Sequence, residues 1–266
     1  MTIQPQLGHT DFPFWRETFA TARGRTSVYV DVGYGSWRRY GHAPCEYTFM
    51  GASPKADVTA GALMLARAGA RLKSLTFTTP AGATWPIIKG PPDYFMRGDF
   101  DPTYGARSSK TRQTIRRACR GVTIRPVMMI DIPAVWDIFN GWVAWAKTRH
   151  FMTFVGHYRR WLEQFIAWQA PPEAYLYILE LDGEPVAIFG GEVDAKTREA
   201  QVHIAKHLPA ISAKAMWVLG LGYLQERWGP TVISCGSTAD KLKLDLGMEP
   251  RPTWALDIKR IKEEAR

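Results

Sequence analysis

Two hydrophobic periods share this chain, and the change from one to the other organises it. Ser27-Val28-Tyr29-Val30-Asp31-Val32 alternates apolar with polar positions and is β-branched, which predicts a strand. Gly33-Tyr34-Gly35-Ser36 reads as a turn, and residues 46–50 as a second short strand. Over residues 57–70 the period lengthens: Val58, Ala62 and Leu65 fall near one face of a helix that Asp57 is placed to cap. Residues 75–78 and 85–88 predict further strands, broken by Pro80, Gly82 and Pro86. Residues 1–26 read as a lead-in. The Pro- and Gly-rich stretch 89–106 reads as a loop and as the internal boundary.

Beyond that boundary the pattern sharpens. Ser108 or Ser109 can cap a helix running to Arg120 and closed by Gly121, followed by a strand over 122–125. Asp131 precedes a long helix over 132–149, with Pro133 in its first turn and Val135, Trp136, Phe139, Trp142, Val143 and Ala146 on its apolar side. A second amphipathic helix covers 157–169 and stops at Pro171-Pro172. Apolar runs over 174–181 and 185–190 flank Asp182-Gly183, a strong short-range hairpin signal. A strand over 200–205, a bend at 207–210 and a helix over 212–227 follow. Gly229-Pro230 ends that helix, and a strand (231–235), a short helix (239–246) and a closing strand (253–258) complete the chain.

This order of elements, with three local motifs, resembles the GNAT superfamily of acyltransferases. It is most similar to the Fem-type branch, in which two GNAT-like halves occur in one chain. The first motif is the basic opening Ser109-Lys110-Thr111-Arg112-Gln113-Thr114-Ile115-Arg116-Arg117-Ala118-Cys119-Arg120-Gly121-Val122. The second is the hairpin Leu179-Glu180-Leu181-Asp182-Gly183-Glu184-Pro185-Val186-Ala187, and the third is Lys243-Leu244-Asp245-Leu246-Gly247. The likeness runs over residues 107–258. It implies a mixed α/β fold with a GNAT-like central mixed sheet flanked by helices, formed by an acyltransferase domain over 107–266. Residues 1–100 would then be a smaller α/β half, a degenerate GNAT-like counterpart, although no motif in that stretch carries the likeness.

The resemblance also implies an enzyme that moves an acyl group from acyl-CoA, or an aminoacyl group from aminoacyl-tRNA, to a primary amine. One departure keeps the donor open. GNAT enzymes carry glycines between the fourth strand and the next helix, where backbone N–H groups approach the coenzyme pyrophosphate. Here the segment is Lys206-His207-Leu208-Pro209-Ala210-Ile211-Ser212-Ala213-Lys214-Ala215, without glycine. A helix start still offers unsatisfied N–H groups and a favourable dipole to an anion. Lys206, His207, Ile211, Ser212, Ala213 and Lys214 are therefore the expected donor-binding residues.

Acyl transfer needs a base for the amine and a polarised carbonyl. Glu192, at the end of one predicted strand, and His203, on the next, are the candidate bases. A solvated strand end and a core histidine are the plain alternatives for them. Ser237, Asp240 and Lys243 follow the fifth strand, on the side where acceptor and leaving group lie in such folds. Lys243 also falls in a family-like motif; an exposed helix lysine is its plain alternative.

Charge adds a second theme. The chain carries a net charge of +9, and 107–125 concentrates basic residues without one Asp or Glu. Lys110, Arg112, Arg116, Arg117 and Arg120 make a basic stripe suited to phosphate, on tRNA, DNA or a phosphorylated substrate. A chain that is 12% aromatic, with 11 tryptophans, also has rings on which an extruded base could stack. Two further readings therefore stand beside the acyltransferase: a nucleic-acid-modifying enzyme on the same fold, and a non-catalytic GNAT-like module that binds nucleic acid. Three dispersed cysteines support neither a disulfide framework nor a zinc site, so no metal is expected. With no signal pattern and no membrane-length apolar run, the expected location is the cytoplasm.

Overall fold

A computed structural model describes residues 27–31, 36–40, 46–51, 57–74, 86–99, 101, 108–148, 155–167, 172–194, 197–236 and 240–266. The lead-in, the predicted turn at 33–35, the predicted strand over 75–78, Arg107 and Ser237 lie outside the described residues. The chain divides into two units: residues 1–92 with 251–266, and residues 93–250.

The first unit holds β1 (Ser27–Asp31), β2 (Ser36–Tyr40), β3 (Glu46–Gly51) and β4 (Arg71–Ser74) in that order in one sheet. β3 and β4 are parallel, joined through helix α1 (Val58–Arg67). Asp57 caps α1 as its sequence predicts, its Oδ1 accepting from the Ala60 N–H at 2.9 Å. β5 (Ile87–Lys89) pairs antiparallel with a strand from the far end of the chain, Trp254–Leu256, which leads into a helix at Ile258–Glu264. The sequence pattern predicts only a closing strand there. The last turns become helical because Asp257 caps them, accepting from the Arg260 N–H at 3.1 Å. Val58, Ala62, Leu72, Leu256 and Ile261 form this unit's core.

The second unit is built on a seven-stranded sheet. It begins with β6 (Asp93–Arg97), which the Pro-rich pattern had placed in a loop. Pro91 and Pro92 obscure the alternation of Tyr94 and Met96, both buried, and the strand is set by pairing with β11 (Val232–Ser234). Between them in the chain, though not in the sheet, come β7 (Val122–Pro126), β8 (Ala174–Leu181), β9 (Glu184–Asp194) and β10 (Glu199–His207). With β12 (Glu249–Arg251) at one edge, the order is β12-β6-β11-β10-β9-β8-β7. The β8–β9 turn is the predicted Asp-Gly hairpin, with Asp182 and Gly183 both at positive φ (53° and 87°), which only such residues adopt readily.

Helices cover this sheet. α2 (Ser109–Ala118) is capped by Ser108 and packs on α5 (Ala213–Trp228). α3 (Ile132–Thr148) and α5 both pack against β9 and β10, and α4 (Val155–Ile166) follows α3. α6 (Asp240–Asp245) is the short helix after β11. Much of the aromatic surplus is core: Tyr175 stacks on Tyr177 at 5.2 Å, and Phe189 meets Trp217 edge-on at 5.5 Å.

The turn entering α3 is fixed electrostatically. Asp131 closes the 3-10 turn ahead of the helix: its carboxylate takes a bidentate contact from Arg125 (2.6 and 2.8 Å) and accepts the Met128 N–H at 2.7 Å. Arg125 also reaches Glu180 at 2.6 Å. This holds a 3-10 turn, Met129–Asp131, although Met128, Met129 and Ile130 are exposed and gain little from burial. The Arg125 guanidinium holds the Asp131 carboxyl below its ordinary value of 3.8. Asp131→Ala is expected to lose about 2 kcal/mol, modest for such a pair because Arg125 keeps partial solvent contact. The depressed carboxyl contributes stability that is complete above the ordinary aspartate range and is lost as pH falls through its lowered value. Urea melts of wild type and variant should therefore differ at pH 7 and converge in strong acid.

Candidate active site

β10 is paired on both sides only at its start. Glu199, Ala200 and Gln201 lie beside Val232, Ile233 and Ser234 of parallel β11, and there β11 ends. β10 continues to His207 along β9, so its other edge has no strand partner past Gln201 among the described residues.

A β-bulge sits at the same place. Val202 pairs with Gly191 and Ile204 with Gly190, which leaves His203 as the extra residue. The double glycine opposite makes room. A Cβ on Gly191 would lie 1.8 Å from the Gln201 carbonyl oxygen and 2.8 Å from the Tyr175 hydroxyl. A Cβ on Gly190 would lie 2.8 Å from the Tyr175 carbonyl oxygen and 3.0 Å from the Trp161 ring. The bulge brings His203 to Glu192, with Nε2 2.9 Å from Oε1 and both side chains buried. Trp161 of α4 stands edge-on to the imidazole at 6.2 Å. Burial holds His203 well below its ordinary 6.5, so it is neutral at neutral pH. A neutral ring donating Nε2–H to the carboxylate carries its basic lone pair on Nδ1.

Lys243 enters from α6 and is 1% exposed, far from the solvated helix lysine its plain alternative described. Its ammonium donates to the carbonyls of Cys235 and Gly236, the latter at 2.6 Å, and faces the rings of Tyr94 and Trp217 at 5.5 and 5.6 Å. It thereby ties α6 to the end of β11 and places a buried positive charge there.

Lys206, on the stretch of β10 that pairs with β9 and lies past the end of β11, sends its amine onto the faces of Trp142 (4.0 Å) and Tyr158 (4.2 Å). Burial of the amine, with the nearby Lys243 charge adding to it, pulls Lys206 down to about 7 from its ordinary 10.5.

The other donor-binding expectations surround the start of α5. Ser212 caps it, accepting from the Ala215 N–H at 3.2 Å, and Ile211 is buried beneath it. Ala213 opens the helix, and Lys214 pairs with Asp245 at 3.1 Å, both partly exposed. The His207 ring nitrogen Nδ1 lies 2.9 Å from the Leu208 carbonyl. Asp240 begins α6, its side chain outside what is described, as is Ser237 altogether. Lys110, Arg116, Arg117 and Arg120 are exposed on and just after α2, while Arg112 is half-buried. Glu192 and His203 thus meet where β10 parts from β11, Lys206 lies further along β10 within reach of the Lys243 charge, and the arginines lie on a separate helix. The sequence pattern assigned Trp142 to a helix core face and passed over Tyr158 and Trp161. Among the described residues no group of His, Cys, Asp and Glu is arranged to hold a metal, and no helix is long and apolar enough to cross a membrane.

The seven-stranded sheet and its flanking helices form a GNAT-like fold. FemX has a similar structure, at TM-score 0.63 and 10% identity over 95% of this chain and 93% of that one. The C-terminal domain of a putative lysylphosphatidylglycerol synthetase from Agrobacterium fabrum matches at TM-score 0.62 and 15% identity, over 97% of this chain and 90% of that domain. A conserved protein of unknown function from Bacteroides thetaiotaomicron matches at 0.60 and 14%, over 93% and 89%. These likenesses are of fold. No family model and no curated protein sequence matches the chain.

Proposed function

We propose that the second unit is an N-acyltransferase that moves an acyl or aminoacyl group to a primary amine. The observation that supports it most is the buried Glu192–His203 pair, delivered by a bulge to the stretch where β10 parts from β11. In this reading His203 Nδ1 takes the proton that the attacking amine must lose, and Glu192 orients the ring and steadies the imidazolium that forms. Lys243 holds the carbonyls of Cys235 and Gly236 in place, and its charge favours the oxyanion developing on the acyl carbonyl. The start of α5 receives the anionic part of the donor, with Lys214 exchanging its partly exposed pair with Asp245 for phosphate.

Both donor classes fit this reading. Coenzyme A needs only the helix start, whereas aminoacyl-tRNA needs a longer phosphate track, which the exposed Lys110, Arg116, Arg117 and Arg120 supply. The test is transfer itself. Purified full-length protein is given acetyl-CoA or aminoacyl-tRNA with a panel of primary amines, and the product amide is followed by mass spectrometry. Amide formed with one donor class supports the reading and selects the donor. No amide with either donor counts against catalysis and favours a binding module.

A further inference from the structure

Lys206 is the buried nucleophile that this mechanism leaves unused. It lies on β10 past the end of β11, three residues beyond the imidazole of His203. Its amine is enclosed by Trp142 from α3 and Tyr158 from α4. Among the described residues no carboxylate pairs with it; its charged neighbour is Lys243, another cation. The residue as a whole is only half-buried, and the amine is its deep end. Ring faces attract a cation but cannot accept a proton from it, and they exclude the water that would hydrate it. An amine with these neighbours spends much of its time neutral at physiological pH, and the neutral amine is the nucleophile.

We propose that Lys206 is a self-acylation site, taking a small acyl group from an activated thioester when no acceptor amine is present. The inference rests on reading this stretch of β10 as an acyl-transfer site. The neutral Nζ attacks the thioester carbonyl, the N–C bond forms and the C–S bond breaks. The amine's proton leaves with the thiolate, so the products are an Nζ-acyl-lysine amide and a free thiol, with no change of oxidation state. Acylation removes the charge from between the two rings and replaces it with a neutral amide, so the modified site differs in charge and volume from the resting one.

The experiment uses the full chain and S-acetyl-N-acetylcysteamine, a thioester without nucleotide or phosphate, at neutral pH and without added amine. Peptide mass spectrometry then compares acetylation rates at Lys206 and at the exposed Lys110 and Lys259. Lys206 is expected to react about tenfold faster or more than either. Lys206→Arg keeps a cation on the rings and should abolish the fast modification. Trp142→Leu, which admits water to the amine, should slow it, while Tyr158→Phe, which keeps the ring, should not. Acetylation of Lys206 at or below the rate of Lys259 overturns the proposal. Because the probe bypasses donor recognition, that result would leave transfer to external amines standing. Fast labelling of Lys206 without transfer to any external amine would instead sink the acyltransferase reading and spare the reactive lysine.

Discussion

Gly191→Ala is expected to cost about 3–5 kcal/mol, enough to leave much of the chain unfolded near physiological temperature. The added Cβ would sit 1.8 Å from the Gln201 carbonyl oxygen, a backbone atom in a central sheet. That oxygen is held in turn by the Tyr175 hydroxyl at 3.2 Å, and the hydroxyl is itself 2.8 Å from the new methyl group. Neither neighbour can retreat without separating β9 from β10 where the bulge presents His203. Gly222→Ala is the control. It lies within α5 with nothing inside 4 Å of a Cβ, and alanine there is expected to be neutral or to stabilise by up to about 1 kcal/mol. Denaturant melts should show a large loss of stability in Gly191→Ala and none in Gly222→Ala. Similar, small losses in both would mean that the bulge does not need its glycine.

The second large effect is expected from Lys243→Met. Methionine fills most of the volume but gives no donor to the Cys235 and Gly236 carbonyls. Losing two charge-assisted bonds outweighs the relief of burying one cation less, for a net loss of about 2 kcal/mol. Acyl transfer is expected to fall by about a hundredfold as the carbonyl end of the site loosens and its charge disappears. A third readout separates this account from simple destabilisation. Lys243 helps hold the Lys206 amine down at about 7, so its removal should raise the Lys206 titration, followed by competitive labelling or NMR. With Lys206 less often neutral near pH 7, its labelling by the thioester should slow. A stable variant with unchanged transfer and unchanged Lys206 titration would contradict the role given to Lys243.

The parts of this molecule that its sequence makes legible are those set by short-range chemistry. Asp182-Gly183 between apolar runs demands a tight hairpin, Asp57 and Ser108 cap helices with their own side chains, and Gly229 ends α5 at positive φ. β6 stayed hidden because its strand character comes from pairing with β11, more than a hundred residues away, behind two prolines. The partner of the closing strand was equally illegible, since Trp254–Leu256 joins β5 and the first unit. Within the site, Glu192 and His203 could be named as separate residues, but their meeting depends on a one-residue slip between β9 and β10. The doubled glycine Gly190-Gly191 within an apolar strand was the available signal, because such glycines mark a bulge or a close approach of backbone. Lys243 was found through a motif, yet its burial follows only from how α6 folds onto β11. Lys206 reads as a phosphate ligand because its charge precedes a helix start; the two rings that capture it come from other helices.

In the proposed function Glu192 and His203 work as a catalytic pair. This is tested most directly by the acyl-transfer assay on His203→Ala and Glu192→Gln, each first checked for a wild-type melt and wild-type donor affinity. In His203→Ala kcat is expected to fall by about 10²–10⁴, and by less in Glu192→Gln, which still hydrogen-bonds the ring, while donor binding holds. Unchanged kcat in both folded variants would contradict it and leave the pair as a buried structural contact.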